Sequence, residues 1–387
     1  MCRSTLSIRK SMKKCIVISD SFKGTLSSLE ICRIARESIP RFFPDCQVIT
    51  APVADGGEGL VECFEAAIGA QPVTVSVTGP LGKPVRATYA RKDKTAIVEM
   101  AAAAGLPMMG RNGDPARTTT YGVGELIRHA IENGCTEILL GLGGSATNDG
   151  GCGCAAALGT GFYDIHGNRF IPTGATLEQI ETIRVPDGWT LPEDVRITVM
   201  CDVDNPLYGP TGAVHVFGRQ KGADAAMITQ LDQGLRKLDA VMKENLGVSV
   251  ADVPGTGAGG GMGAGCMAFL HAELKPGIEC VLDTIGFDAM LEDAELVITG
   301  EGRIDSQSVH GKVISGIAKR TRLRGIPLIA LVGGIAEGAE AGYDLGVTAM
   351  FGIDRSAQDF HAFASDSAKY YQRTLEDILR LIAAVKG

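Results

Sequence analysis

The chain has 387 residues, 45% of them hydrophobic and 21% charged, with a formal net charge of −8. That balance excludes a largely disordered chain and, at roughly 150 residues per domain, suggests two or three domains. No run approaches the ~18 apolar residues of a membrane helix, and the Lys and Arg are scattered rather than gathered in a basic tract, which argues against a nucleic-acid partner.

Residues 1–11 lack the apolar centre of a secretory signal, and Met12 reads as an equally natural start. Residues 14–19 predict a buried strand, Asp20 to Thr25 a polar turn, and Ser27 with Glu30 a capping box opening a helix. Residues 47–54 predict a second strand, ending in Asp55-Gly56-Gly57-Glu58-Gly59 and a short helix to about residue 68. Strand, loop and helix thus occur twice, the grammar of a parallel α/β sheet. Residues 72–78, 84–90 and 95–100 read as hairpin strands. A helix follows over 121–133, then strands over 136–142 and 196–201. A long helix carries Met227, Leu231, Leu235, Leu238 and Met242 on one side. Late in the chain the first grammar returns: strands over 295–299, 327–332 and 347–353, a helix over 311–324, and a C-terminal helix marked by Phe360, Tyr371, Leu375 and Ile378.

The expected architecture is therefore α/β with two domains. A Rossmann-like parallel-sheet domain takes residues 12–70 and 286–387 from both chain ends, and a mixed α/β domain over 71–285 is inserted in it. The alternative is two sequential domains divided near residue 190.

Glycine is the compositional outlier, at 51 residues. It clusters in short loops, as where backbone must approach a small ligand. Three predicted strand ends are polar: Asp20-Ser21-Phe22-Lys23, Asp55-Gly56-Gly57-Glu58, and Gly300-Glu301-Gly302-Arg303-Ile304-Asp305. Ligands of open parallel sheets bind beyond such ends. Taken singly each loop also fits a plain turn; together they point to a site. Lys23 and Arg303 suit anionic groups, while Asp305, Asp55 and Glu58 suit a proton or a divalent cation.

Residues 141–151 form a glycine loop between a strand and a small-residue helix, a setting in which backbone amides can hold an anion. Ser145, Thr147 and Asn148 add polar groups, and Asp149 either caps the helix or ligates a metal. The glycine run at 255–265 fits close helix packing or phosphate contact. Asp202 follows an apolar strand and suits Mg²⁺. Residues 217–222, with Arg219 and Lys221, form a basic turn, either solvated or facing phosphates. His310 suits a hydrogen-bonding or an acid–base role. Cys152 and Cys154 lack a second ligand cluster, and eleven scattered cysteines suit a reducing, cytoplasmic setting.

The ordered motifs DSFKGTLS (20–27), PVADGGEG (52–59), VTGPLG (77–82), GLGGSATNDGG (141–151), CDVDNPL (201–207), FGRQKGA (217–223), GGGMGA (259–264) and VITGEGRIDSQSVHGK (297–312) resemble those of the type-1 glycerate kinase family, over nearly everything from residue 12 onward. The resemblance implies a cytoplasmic kinase transferring phosphate from ATP to D-glycerate, of the branch that makes 2-phosphoglycerate in glycerate, glyoxylate and sugar-diacid breakdown. It implies ATP and Mg²⁺, with no nucleic-acid or membrane partner; a homo-oligomer is compatible.

Within that reading Asp305 is the expected base, Lys23 stabilises the transferring phosphate and Arg303 grips the substrate carboxylate. Ser21, Asp55, Glu58 and Glu301 line the substrate. Gly143, Gly144, Ser145, Asn148, Gly257, Gly260, Gly261 and Lys312 approach the nucleotide, and Asp149 and Asp202 hold the metal. The rivals are a kinase forming 3-phosphoglycerate, a kinase of a related small hydroxy acid, and a non-enzymatic ligand sensor.

Overall fold

The computed structural model describes residues 11–22, 24–54, 59–110, 113–186, 188–305, 312–354 and 360–386, with the side chains of 360–364 left aside. Its elements run, in chain order, β1 (Lys14–Ser19), α1 (Ser28–Phe42), β2 (Gln47–Pro52), α2 (Leu60–Ile68), β3 (Gln71–Thr78), β4 (Pro84–Lys92), β5 (Thr95–Glu99), α3 (Ala101–Ala104), α4 (Tyr121–Glu132), β6 (Glu137–Gly141), α5 (Cys152–Ala157), β7 (Gly161–Tyr163), β8 (Arg169–Phe170), β9 (Thr182–Arg184), β10 (Arg196–Met200), α6 (Ala213–Phe217) and α7 (Ala225–Leu246). There follow α8 (Ala258–Leu270), β11 (Glu273–Lys275), α9 (Gly277–Thr284), α10 (Phe287–Met290), β12 (Leu296–Thr299), β13 (Arg303–Ile304), α11 (Val313–Leu323), β14 (Leu328–Val332), β15 (Gly334–Ile335), α12 (Ala341–Leu345), β16 (Ala349–Gly352) and α13 (Phe360–Val385).

Two compact units result. One is Met1–Asp55 with Val281–Gly387, the other Gly56–Cys280. The first boundary lies near residue 55 rather than 70, because α2 packs on β3, β4 and β5 of the inserted unit. There the Glu99 carboxylate, at the end of β5, accepts from the Val61 amide in the first turn of α2 at 2.9 Å.

The end-built unit holds a five-stranded sheet ordered β16-β14-β12-β1-β2, parallel throughout. Cys15, Val17, Leu296, Ile298, Ile329 and Leu331 share one core with Ile31, Ile34 and Ile39 of α1 and Tyr371, Leu375 and Leu379 of α13. The intervening Ile16, Ile18 and Val297 are buried too, as parallel strands covered on both faces require. Ser27 caps α1, its hydroxyl accepting from the Glu30 amide at 3.2 Å.

The inserted unit holds a six-stranded sheet, β11-β10-β6-β5-β4-β3. β11, β10, β6 and β5 are parallel, while β4 and β3 extend the edge antiparallel. A separate sheet, β8-β7-β9, is made of two- and three-residue strands too short to leave a period in the sequence. The helix α7 starts at the Asp224 cap and buries Leu231, Leu235, Leu238 and Met242, each contributing roughly 1.5–3 kcal/mol of apolar burial. No helix among the described residues is long and apolar enough to cross a membrane.

Candidate active site

In the end-built unit the strand order reverses direction between β1 and β12, which makes the gap at their carboxyl ends the topological switch point. The two ends are tied directly. The Asp20 amide donates to the Gly300 carbonyl at 3.0 Å, and the Ser19 hydroxyl donates to the same oxygen at 2.9 Å. Gly300 is required there, since a Cβ would meet the Leu331 carbonyl oxygen at 2.1 Å. The junction brings half-buried Ser21 to the same sheet end as buried Glu301, exposed Arg303 and half-buried Asp305.

The polar turn after β1 is held from outside the sheet. Phe22 meets the Tyr371 ring edge-on at 5.9 Å, and the Ser367 hydroxyl of α13 donates to the Thr25 carbonyl at 3.0 Å. Arg303 pairs with Gly334 in a short parallel ladder, which fixes its backbone and leaves the guanidinium exposed. Lys312 stands at the N-cap of α11. Lys23, Asp55, Glu58 and His310 lie outside the described residues.

In the inserted unit the loop after β6 also leaves a carboxyl strand end. Its exposed part is short: Gly143 is half-buried, Gly144 exposed with φ +69°, and Ser145 buried. The segment Ala104–Leu106 clamps this part, the Leu106 amide donating to the Gly144 carbonyl and the Ala146 amide to the Ala104 carbonyl, each at 2.8 Å. From Ala146 on the loop is buried. Asn148 is 1% exposed, and neither its amide oxygen nor its nitrogen has a hydrogen-bond partner.

Asp149, expected at a metal, is fully buried. Oδ2 accepts from the Thr120 amide (2.7 Å), the Thr120 hydroxyl (2.9 Å) and the Gly153 amide (3.2 Å), and Oδ1 accepts from the Gly151 amide (3.1 Å). Burial pushes its carboxyl up while these donors push it down. The carboxylate is thus occupied in shaping the loop. Asp202, by contrast, is exposed, with Oδ1 accepting from the Gly277 amide at 2.8 Å.

No group of three or more His, Cys, Asp and Glu suited to a metal occurs among the described residues. Burial raises the Cys152 and Cys154 thiols well above their ordinary range, so they stay protonated. None of the ten described cysteines forms a disulfide.

The glycine run that leads into and opens α8 is packed inward. Gly257, Gly260 and Gly261, expected at phosphates, are buried. Their α-carbons press on the Pro206 carbonyl, the Thr147 carbonyl and the Gly150 backbone, and the Gly150 amide donates to the Gly260 carbonyl at 3.1 Å. Sequence reasoning also underrated Lys221. It is 3% exposed, and its ammonium donates to the Thr147 carbonyl at 2.8 Å. The signal lay in its neighbours, a lysine between the turn glycines Gly218 and Gly222. A separate cleft of about 630 Å³, lined by Trp189, Arg196 and His271 among others, lies toward the amino ends of β6 and β10, away from these loops.

A parallel sheet with polar groups at its switch point, and a second sheet with a short exposed glycine loop at a carboxyl strand end, define a two-domain α/β enzyme acting on small anionic ligands. Residues 15–383 match the glycerate kinase family, and the chain belongs to that family. It is 42% identical over 377 residues to a glycerate kinase of Bacillus cereus, covering 96% of this chain and 97% of that one. To the glycerate 2-kinase of Escherichia coli it is 45% identical over 344 residues, 88% and 89% of the two chains. The crystal structure of a Salmonella typhimurium LT2 protein described as glycerate kinase 2 superposes with a TM-score of 0.87 at 39% identity, covering 97% of this chain and all of that one.

Proposed function

We propose that this protein is a glycerate 2-kinase, transferring the γ-phosphoryl group of ATP to the 2-hydroxyl of D-glycerate. Membership of the glycerate kinase family supports the reaction class, and the E. coli relative's name supports the position. The observation that supports the reading is the Asp20–Gly300 junction, which ties the end of β1, beside Ser21, to the end of β12, from which Glu301, Arg303 and Asp305 follow.

In this reading the Arg303 fork holds the glycerate carboxylate, the geometry a planar guanidinium suits best. Ser21 and Glu301 orient the two hydroxyls. Asp305 takes the proton from the 2-hydroxyl as its oxygen attacks the γ-phosphorus, and ADP leaves with the electrons of the broken bond. Phosphoryl transfer asks mostly for positioning and charge neutralisation. Lys23 and Lys312 are the cations proposed for the transferring and leaving phosphates.

Gly143, Gly144 and Ser145 are proposed to receive the nucleotide phosphates through backbone amides and the Ser145 hydroxyl. Asn148 of the same loop, its buried amide left without a partner, supports a ligand for this loop, since buried polar groups are rarely left unpaired. The packing of Gly257, Gly260 and Gly261 favours a supporting role for them.

Mg²⁺ characteristically binds through one or two carboxylates plus substrate phosphates. Exposed Asp202 fits such a role, and Asp149, with four donors on its carboxylate, does not. The metal is therefore proposed to arrive with the nucleotide, supplying charge neutralisation when bound. A cytoplasmic location belongs to the same reading and rests on membership of a family of metabolite kinases.

The test is ADP release with ATP and Mg²⁺ across D-glycerate, L-glycerate, glycolate, lactate and dihydroxyacetone. Preference for D-glycerate supports the reading. Preference for another acceptor identifies a different hydroxy-acid or triose kinase, and nucleotide binding without ADP release with any acceptor overturns the enzyme reading.

A further inference from the structure

The basic turn over 217–222 was expected either to be solvated or to touch phosphate; Arg219 and Gln220 are exposed, as a solvated turn requires, but Lys221 is not. Lys221 runs inward. Its backbone lies against Gly113, whose Cβ would meet the Lys221 carbonyl oxygen at 2.7 Å, and its side chain is almost wholly buried. Burying an ammonium is costly without compensation, and the compensation here comes from a single loop. The ammonium donates to the Thr147 carbonyl at 2.8 Å, and Asp149, two residues on, supplies the nearby negative charge.

The same loop is thereby gripped at two points by buried charge. At Thr147 the grip is the Lys221 ammonium; the Thr147 hydroxyl also donates to the Gly259 carbonyl at 3.4 Å. At Asp149 the grip is the set of donors from Thr120, Gly151 and Gly153. Between these points and the end of β6 only Gly143 and Gly144 reach the surface, with Ser145 buried beside them, and none carries a long side chain able to set its own conformation. Their amide directions depend on the Ala104–Leu106 clamp on one side and, on the other, on what holds the buried half of the loop.

We propose that Lys221 is a positioning residue for nucleotide binding: it touches no ligand, and by holding the Thr147 carbonyl from beneath it sets the conformation of the Gly143–Ser145 loop. This rests on the reading that the loop receives the nucleotide phosphates. The partner it implies is an anion held by backbone amides, and it separates Lys221 from Arg303 and Lys312, which are placed to meet ligand charge directly.

The test compares Lys221→Met and Lys221→Gln with the unaltered protein, using steady-state kinetics and direct binding of ADP. With folding checked by circular dichroism, the KM for ATP and the Kd for ADP should rise at least tenfold, while the KM for D-glycerate stays within twofold. A merely structural role would lower active-site concentration, and so apparent kcat, without that split.

Gly144→Ala, which strains a φ of +69°, probes the underlying reading independently. If it weakens ADP binding and both Lys221 variants leave it unchanged, the positioning role is overturned and the loop reading stands. If Gly144→Ala has no effect on ADP binding, the loop reading falls and the positioning role with it. Should neither Lys221 variant fold, hydrogen exchange of the unaltered protein decides. Protection by ADP of both 142–153 and 217–223 supports the coupling, and protection of 142–153 alone overturns it.

Discussion

The α-carbon of Gly260 lies so close to Thr147 that a Cβ on it would stand 1.9 Å from the Thr147 carbonyl oxygen. The same oxygen accepts the Lys221 ammonium, so one carbonyl is fixed by a lysine and by a residue without a side chain. Gly260 has φ +73°, which adds backbone strain to the clash for any other residue. Gly260→Ala should therefore lower stability by at least ~3 kcal/mol, read as the shift in urea midpoint. A change within about 0.5 kcal/mol, the range of ordinary surface substitutions, would mean that the two loops do not pack as described.

Asp305 is the residue on which the proposed chemistry turns. General-base assistance contributes ~10²–10⁴ in rate, so Asp305→Ala should lower kcat by at least about a hundredfold with little change in the thermal midpoint. A folded variant of almost full activity would remove Asp305 from that role.

Arg303 is expected to act in binding. Replacing it with lysine keeps the charge and loses the planar fork. Arg303→Lys should raise the KM for D-glycerate by roughly tenfold, about 1.4 kcal/mol, and leave the KM for ATP nearly unchanged. A matching rise in the KM for ATP alone would place Arg303 with the nucleotide instead.

How far the sequence carried can be seen residue by residue. The strand over 14–19, the Ser27 cap and the apolar side of α7 were legible because each follows from a local period or a local hydrogen bond. The boundary at 70 missed because the short pattern of α2 says that it buries one side but not on which sheet; the Glu99 carboxylate that receives the first turn of α2 is 38 residues away from Val61. The run over 255–265 was open to packing and to phosphate, and its close packing on 147–151 could not be read locally, because those residues lie far earlier in the chain. Lys221 was the largest misjudgement. A charged residue in a turn is usually solvated, and its burial depends on a carbonyl 74 positions earlier.

That burial has a consequence for pH. It lowers the Lys221 ammonium from 10.5 to about 8, with Asp149 opposing the shift. Between those two values the unfolded chain still holds the proton while the folded chain has released it. The Lys221 contribution to stability therefore rises as pH increases through this window. The difference in unfolding free energy between the unaltered protein and Lys221→Met should shift in favour of the unaltered protein by on the order of 2 kcal/mol from pH 7.5 to 10. A flat or falling difference would show that the ammonium is not destabilised by its surroundings.

The most direct test of the proposed function is the identity of the product. Purified protein with ATP, Mg²⁺ and D-glycerate is coupled to enolase in the absence of phosphoglycerate mutase. Immediate enolase turnover, in step with ADP release, is the expected result, because enolase accepts 2-phosphoglycerate. ADP release with enolase turnover only after mutase is added would contradict the 2-position and assign a 3-kinase. No ADP release from folded, nucleotide-binding protein would contradict glycerate phosphorylation itself.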